Sequence, residues 1–171
     1  NSNVSLHLYD LESKKLQELK VNKEYKDFYI PRLEWTKDAN VLSVQYMNRH
    51  QNELDLWMIN SKSMSSNLVL AEKNEAYIDV TFNLTFLKDN SFIWTSEKDG
   101  YNHIYHYAKD GTLINQVTNG NWEVTNYYGF NEKENTIYYQ SVENGSINRD
   151  VYSIKLNGKN KKRLTKTDGT N

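Results

Sequence analysis

The sequence predicts an all-β protein: a partial β-propeller of about three and a half four-stranded antiparallel blades. Three observations carry that expectation. The first is a short strand pattern that returns about every 48 residues. It reads Ser5-Leu6-His7-Leu8-Tyr9, Asp55-Leu56-Trp57-Met58-Ile59, His103-Ile104-Tyr105-His106-Tyr107 and Asp150-Val151-Tyr152-Ser153-Ile154. With Leu6, Leu56, Ile104 and Val151 equivalent, the steps are 50, 48 and 47 residues, and an all-strand repeat of that length marks propeller blades. The second is periodicity: no long segment shows an apolar period of 3.6, while alternation and turn signals mark strands throughout. The third is composition. Only 37% of the 171 residues are hydrophobic, yet 13% are aromatic, with 13 Tyr and 4 Trp. Disordered segments are poor in aromatics, and Tyr and Trp suit half-buried pleated strands.

Two strands come first, expected over 4–9 and 16–21. Four follow over 28–36, 41–47, 53–60 and 66–73, and four more over 80–86, 91–97, 101–108 and 113–119. The last four are expected over 124–130, 136–143, 149–156 and 162–167. The pattern divides a single domain, 1–171, into a half blade at 1–27 and blades at 28–75, 76–121 and 122–171. Lys37-Asp38-Ala39-Asn40, Lys88-Asp89-Asn90 and Glu132-Lys133-Glu134-Asn135 each separate a first strand from a second. Asp99-Gly100, Asp110-Gly111, Asn144-Gly145 and Asn157-Gly158 offer the positive φ that tight hairpins need. Pro31, the only proline, would cost an interior ladder a hydrogen bond, so it is expected at a bend or an unpaired edge. Second and third strands of a blade are covered on both faces by neighbouring blades. That explains bulky side chains on successive residues in Ile104-Tyr105-His106-Tyr107 and Ile137-Tyr138-Tyr139, where Tyr fills a gap and keeps a polar tip.

Composition excludes several classes of function. The net charge is -1 and the chain has no cysteine, which rules out disulfides and thiolate zinc sites. No run of 18 apolar residues exists to span a membrane. The one dense basic run, 159–163, reads as a solvated hairpin and polar edge strand, because a nucleic-acid binder presents a basic stripe over a whole face. The start at Asn1-Ser2-Asn3, without Met or a signal-peptide pattern, reads as excision from a longer polypeptide.

The residues that invite a chemical reading resolve into structural ones. His103 and His106 lie three apart on a strand and point to opposite faces, so they do not chelate one ion together and are expected packed or hydrogen-bonded. Ser96-Glu97-Lys98-Asp99-Gly100-Tyr101 only loosely matches the sialidase repeat Ser-x-Asp-x-Gly, so Glu97 and Asp99 are given to a turn. Gly145-Ser146 lacks the closing glycine of a nucleophile elbow and sits in a hairpin, where the elbow needs a strand-to-helix turn. No catalytic residue, cofactor site or metal site is assigned.

Three stretches resemble the dipeptidyl peptidase IV-like serine peptidases. Tyr29-Ile30-Pro31-Arg32-Leu33-Glu34-Trp35, continuing through Asn48-Arg49-His50-Gln51-Asn52-Glu53-Leu54-Asp55-Leu56, resembles their Y-x-P-R-x-x-W … N-R-x-Q-N-x-L-D-L segment. Ser96-Glu97-Lys98-Asp99-Gly100-Tyr101-Asn102-His103-Ile104-Tyr105 resembles their S-E-x-D-G-Y-x-H-I-Y hairpin, and Gly120-Asn121-Trp122-Glu123-Val124 their G-x-W-E-V.

The resemblance implies the middle part of an eight-bladed N-terminal propeller, followed in the parent by an α/β-hydrolase domain that this chain lacks. It implies removal of X-Pro and X-Ala dipeptides from peptide N-termini by a Ser-Asp-His triad in that domain. A Glu pair upstream of the matched segment would anchor the substrate. A loop near 77–83 lines the substrate cavity in some members, with an Arg that this chain lacks; Tyr77 is the candidate there. This segment would then form cavity wall and access scaffold. Its partners would be the remaining blades and the hydrolase domain, with peptide substrate in the full protein, no nucleic acid and no membrane contact, and self-association of the isolated piece. Relatives of this kind imply a periplasmic or secreted location. The rival reading is a TolB-like or WD40-like protein-binding module with no peptidase attached.

Overall fold

A computed structural model describes residues 4–80, 82–167 and 169, and every regular element among them is a β-strand. The chain falls into two compact units, residues 1–80 and 81–171. In the first, β1 (Leu6–Tyr9) and β2 (Leu16–Leu19) form an antiparallel hairpin. It is followed by a meander of β3 (Phe28–Trp35), β4 (Val41–Asn48), β5 (Glu53–Asn60) and β6 (Ser66–Lys73). The second unit holds two more meanders. One comprises β7 (Thr85–Phe86), β8 (Phe92–Ser96), β9 (His103–Tyr107) and β10 (Leu113–Gln116). The other comprises β11 (Val124–Asn131), β12 (Thr136–Ser141), β13 (Asp150–Lys155) and β14 (Lys162–Arg163). In every sheet the strands lie side by side in chain order, each antiparallel to the next. This is the expected fold class, a partial β-propeller of one half blade and three blades.

The middle strands show why the sequence puts apolar residues on both faces. In β5, Leu54, Leu56 and Met58 are buried on one face and Trp57 and Ile59 on the other; all of β8 and β9 is buried. A fully buried Leu or Ile is worth about 1.5–3 kcal/mol, and a strand with two dry faces has no side on which charge is cheap. One core joins Leu19 of β2 to Leu42, Val44 and Tyr46 of β4 and to Trp57 and Ile59 of β5, with Leu6 and Leu8 of β1 packed against it. Another lies between the two meanders of the second unit. Ile93, Ile104 and Val117 come from one side and Val124, Ile137, Tyr139, Tyr152 and Ile154 from the other.

Pro31 sits where its missing N–H costs least. Tyr29 pairs with Met47 and Arg32 with Gln45, so Ile30 and Pro31 together oppose Tyr46 in a bulge. The strand that holds them is the edge of its sheet, where proline is tolerated.

Against the expected spans, most strands lose a residue or more at their ends, and two, β7 and β14, keep only two residues each. Of the run expected over 80–86, whose residue 81 lies outside the described residues, only Thr85–Phe86 pairs among those described; just before it, the Asn83 side-chain amide donates to the Thr95 hydroxyl at 3.1 Å. Of the run over 162–167, only Lys162–Arg163 pairs. There the Arg163 and Thr165 side chains turn to Asp150. Past Arg163 the Leu164 amide still donates to the Val151 carbonyl at 2.8 Å, and beyond it the Thr165 hydroxyl takes the Val151 amide, so at both strand ends side-chain bonds follow where the ladder stops.

Turns follow the chemistry of their residues. Asp38 accepts the Asn40 amide on Oδ1 at 2.9 Å, and its carbonyl accepts the Val41 amide at 3.0 Å. The β13–β14 turn is packed as well as tight: a Cβ on Gly158, whose φ is 77°, would lie 3.2 Å from the Val117 carbonyl oxygen. Nearby, the Asn115 side chain donates to the Leu156 carbonyl at 3.1 Å.

Candidate functional site

The head of three of the four repeated strand patterns carries a buried polar residue. Asp55, His103 and Asp150 are 4%, 0% and 0% exposed. Burying such groups is unfavourable unless they are bonded, and each ties its strand to a segment outside the core of its sheet. Asp55 accepts from the Lys23 ammonium and the Tyr25 hydroxyl. His103 places Nδ1 3.1 Å from the Thr118 hydroxyl and Nε2 3.0 Å from the Gly120 carbonyl. Asp150 accepts from Thr165 at 2.6 Å and from Arg163 at 2.9 Å. The Thr165 bond holds the Asp150 carboxyl below the ordinary carboxylate range; burial opposes this, and Arg163 and Asn144 add to it. The sequence reading expects His103 to be packed or hydrogen-bonded, as it is, but takes the repeat for its apolar positions and passes over Asp55 and Asp150. The signal was there, in Asp, His and Asp at the same point of three repeats.

The densest of these junctions ties β9 to β11. Asn102 and Val124 bond twice: the Asn102 side-chain amide donates to the Val124 carbonyl at 2.7 Å, and the Val124 amide donates to the Asn102 carbonyl at 2.8 Å. Beside them the Trp122 indole meets the His103 ring edge-on at 4.9 Å and stacks on Tyr139 at 6.5 Å. Gly120, with φ 138°, leaves no room for a side chain, since a Cβ there would lie 2.2 Å from the indole Nε1. Thus Asn102-His103 of one sequence motif and Gly120, Trp122 and Val124 of the other form one fastening.

Beside the first hairpin lies an open cleft of about 490 Å³ lined by Val4, Leu19, Lys23, Tyr25, Phe28 and Tyr46. Tyr25 stacks on Tyr46 at 4.7 Å and meets Phe28 at 5.6 Å. Its hydroxyl donates to Asp55 and accepts the Trp57 indole N–H at 2.7 Å, so both of its polar functions are engaged. Burial first, then the bond to Asp55, push this phenol well above its usual range. A phenol held that firmly neutral serves as a joint between strands rather than as a base or nucleophile.

The residues singled out in sequence fall as follows. His103 and His106 face opposite ways and both are bonded, His106 with Nε2 3.0 Å from the Ser91 hydroxyl. Glu97 and Asp99 lie in the β8–β9 turn, where the Glu97 carbonyl accepts the Gly100 amide at 2.8 Å and Asp99 takes the Gln116 amide. In the basic run, Lys161 pairs with Glu143 and Arg163 with Asp150, so half of its cations are spent inside the fold. Tyr77 is 59% exposed on the connection between β6 and β7, beside Ile78, whose amide donates to the Gln51 carbonyl at 2.7 Å.

Fold and site together define a β-propeller segment whose buried polar groups fasten strands and adjoining segments to one another. The family described as the dipeptidyl peptidase IV (DPP IV) N-terminal region matches residues 1–171. A crystal structure of Porphyromonas gingivalis dipeptidyl peptidase 4 superposes with a TM-score of 0.88 at 36% identity, covering 97% of this chain and 24% of that one. A probable dipeptidyl-aminopeptidase B of Phaeosphaeria nodorum is 27% identical over 99% of this chain and 20% of its own length. Dipeptidyl aminopeptidase B of Saccharomyces cerevisiae is 28% identical over 81% of this chain and 18% of its own. The chain belongs to the dipeptidyl peptidase IV N-terminal region family, and it spans about a fifth of the length of these curated relatives.

Proposed function

We propose that this segment is a wall and access scaffold for a serine-type dipeptidyl peptidase that removes X-Pro and X-Ala dipeptides from peptide N-termini. The observation that carries the reading is the family match over the whole chain, supported by relatives named as dipeptidyl peptidases and dipeptidyl aminopeptidases. On this reading the chemistry belongs to a hydrolase domain elsewhere in the polypeptide. The segment contributes rigidity: buried Asp55, His103 and Asp150 hold its strands at fixed places, so the wall excludes folded proteins and admits chain ends. The half blade at 1–27 and blades at 28–75, 76–121 and 122–171 are its structural divisions, and Tyr77, exposed between two of them, faces the substrate cavity. The protein works in the periplasm or outside the cell.

The test is a pair of assays with a chromogenic Gly-Pro or Ala-Pro substrate. The full-length polypeptide is expected to release the chromophore and to lose that activity to a serine-reactive inhibitor. The chain 1–171 alone is expected to give background release. Inhibitor-sensitive turnover by the segment itself overturns the division of labour. An inert full-length polypeptide overturns the peptidase reading in favour of a protein-binding propeller.

A further inference from the structure

Three Asn-Gly pairs occur in this chain, at Asn119, Asn144 and Asn157, and all three asparagines are exposed. In such a pair the glycine nitrogen has no Cβ beside it and reaches back easily to the preceding side chain. Exposure does not separate the three, but the state of the glycine nitrogen does. The Gly145 N–H donates to the Val142 carbonyl at 3.0 Å and the Gly158 N–H to the Lys155 carbonyl at 2.8 Å. Both side chains are held too: Asn144 donates to Asp150 at 3.4 Å, and Asn157 accepts the Lys159 amide at 3.1 Å. Among the described residues neither the Gly120 N–H nor the Asn119 side chain has a hydrogen-bond partner.

We infer that Asn119 is the site of spontaneous deamidation in this protein. The Gly120 nitrogen loses its proton to solvent base and attacks Cγ of Asn119. The bond from Cγ to the side-chain nitrogen breaks, ammonia leaves, and a five-membered succinimide remains. Water then opens the ring: attack at the backbone carbonyl leaves isoaspartate, and attack at Cγ leaves aspartate. One water is consumed, one ammonia is released and nothing is oxidised. Isoaspartate sends the chain through the side-chain carbon and adds a backbone atom immediately before Gly120. That residue's carbonyl holds His103, and its bare Cα lies under the Trp122 indole. Deamidation at Asn119 therefore loosens the β9–β11 fastening with age.

The test is to incubate the protein at mildly alkaline pH, digest it, and quantify isoaspartate and aspartate at each site by mass spectrometry. Conversion at Asn119 is expected to outrun that at Asn144 and Asn157 by roughly three- to tenfold, the factor that freeing a bonded amide sets. In urea the three are expected to convert at similar rates. Equal rates in the folded protein, or slower conversion at Asn119, overturn the inference. A second readout follows the melting temperature: aged wild-type protein is expected to melt earlier than fresh, while aged Asn119→Gln keeps its starting value. Equal losses in the two overturn the effect on the junction.

Discussion

His106 is buried with its ring bonded to Ser91. Burial lowers its pKa below the ordinary 6.5, with Asp89 and Asn115 pulling the other way. The unfolded chain therefore takes up a proton at higher pH than the folded one. Stability is complete above the unfolded value and is lost as pH falls through the folded value. Urea midpoints of the protein are expected to decline from about pH 6.5 downward, ahead of the carboxylates, which titrate near pH 4. A His106→Gln variant is expected to show a flat profile between about pH 6.5 and 5; an unchanged slope would assign the loss to another group. Tyr139 presents the reverse case. Its ring stacks on Tyr152 at 5.6 Å, while its buried hydroxyl has no hydrogen-bond partner among the described residues. Tyr139→Phe keeps the stack and removes the orphan, so it is expected to raise stability by about 1 kcal/mol with the denaturant slope unchanged. A loss of stability would mean that the hydroxyl has found a partner in solution.

Gly120 and Trp122 behave as one part. Gly120→Ala strains a backbone at φ 138° and drives a methyl into the indole, so it is expected to cost about 2–4 kcal/mol. In a Trp122→Ala background the clash is gone and only the backbone strain remains, about 1–2 kcal/mol. Additive costs in that double-mutant cycle would count against the packing account. Such junctions mark the limit of what the sequence alone makes readable. The long strands β4 and β5 and the bulge at Pro31 were legible, because two-faced apolar runs and a lone proline each leave few alternatives. The expected spans of β7 and β14 are too long, since alternation near Phe82 and Leu164 resembles continued pairing, whereas Asn83 and Thr165 reach the neighbouring strand through their side chains. The fastening residues stand in recognisable sequence motifs, yet nothing in those motifs shows their partnership. His103 and Gly120 stand far apart in sequence, and only the fold sets a ring nitrogen 3.0 Å from that carbonyl.

As a whole molecule the chain has edges. Among the described residues β1 pairs only with β2, and β3, β7 and β11 each pair on one side; Tyr9, Leu11 and Leu16 of the first hairpin are 52%, 83% and 64% exposed. Open strand edges beside apolar surface invite association. Sedimentation of the isolated chain is expected to show mass that grows with concentration, and a monomer over the whole range would speak for edges that protect themselves. The turns, too, differ in what they leave open. The tip at Asn157-Gly158 looks like a free hairpin end, but its glycine lies against the end of β10. At the tip of Asn144-Gly145 a Cβ added to the glycine would stand in ordinary contact, 3.5 Å from the Asn148 side-chain nitrogen, next to Ile147 at 81% exposure. Anyone grafting an epitope tag or a fluorophore into this protein therefore has one permissive hairpin in its last sheet and one that only imitates it.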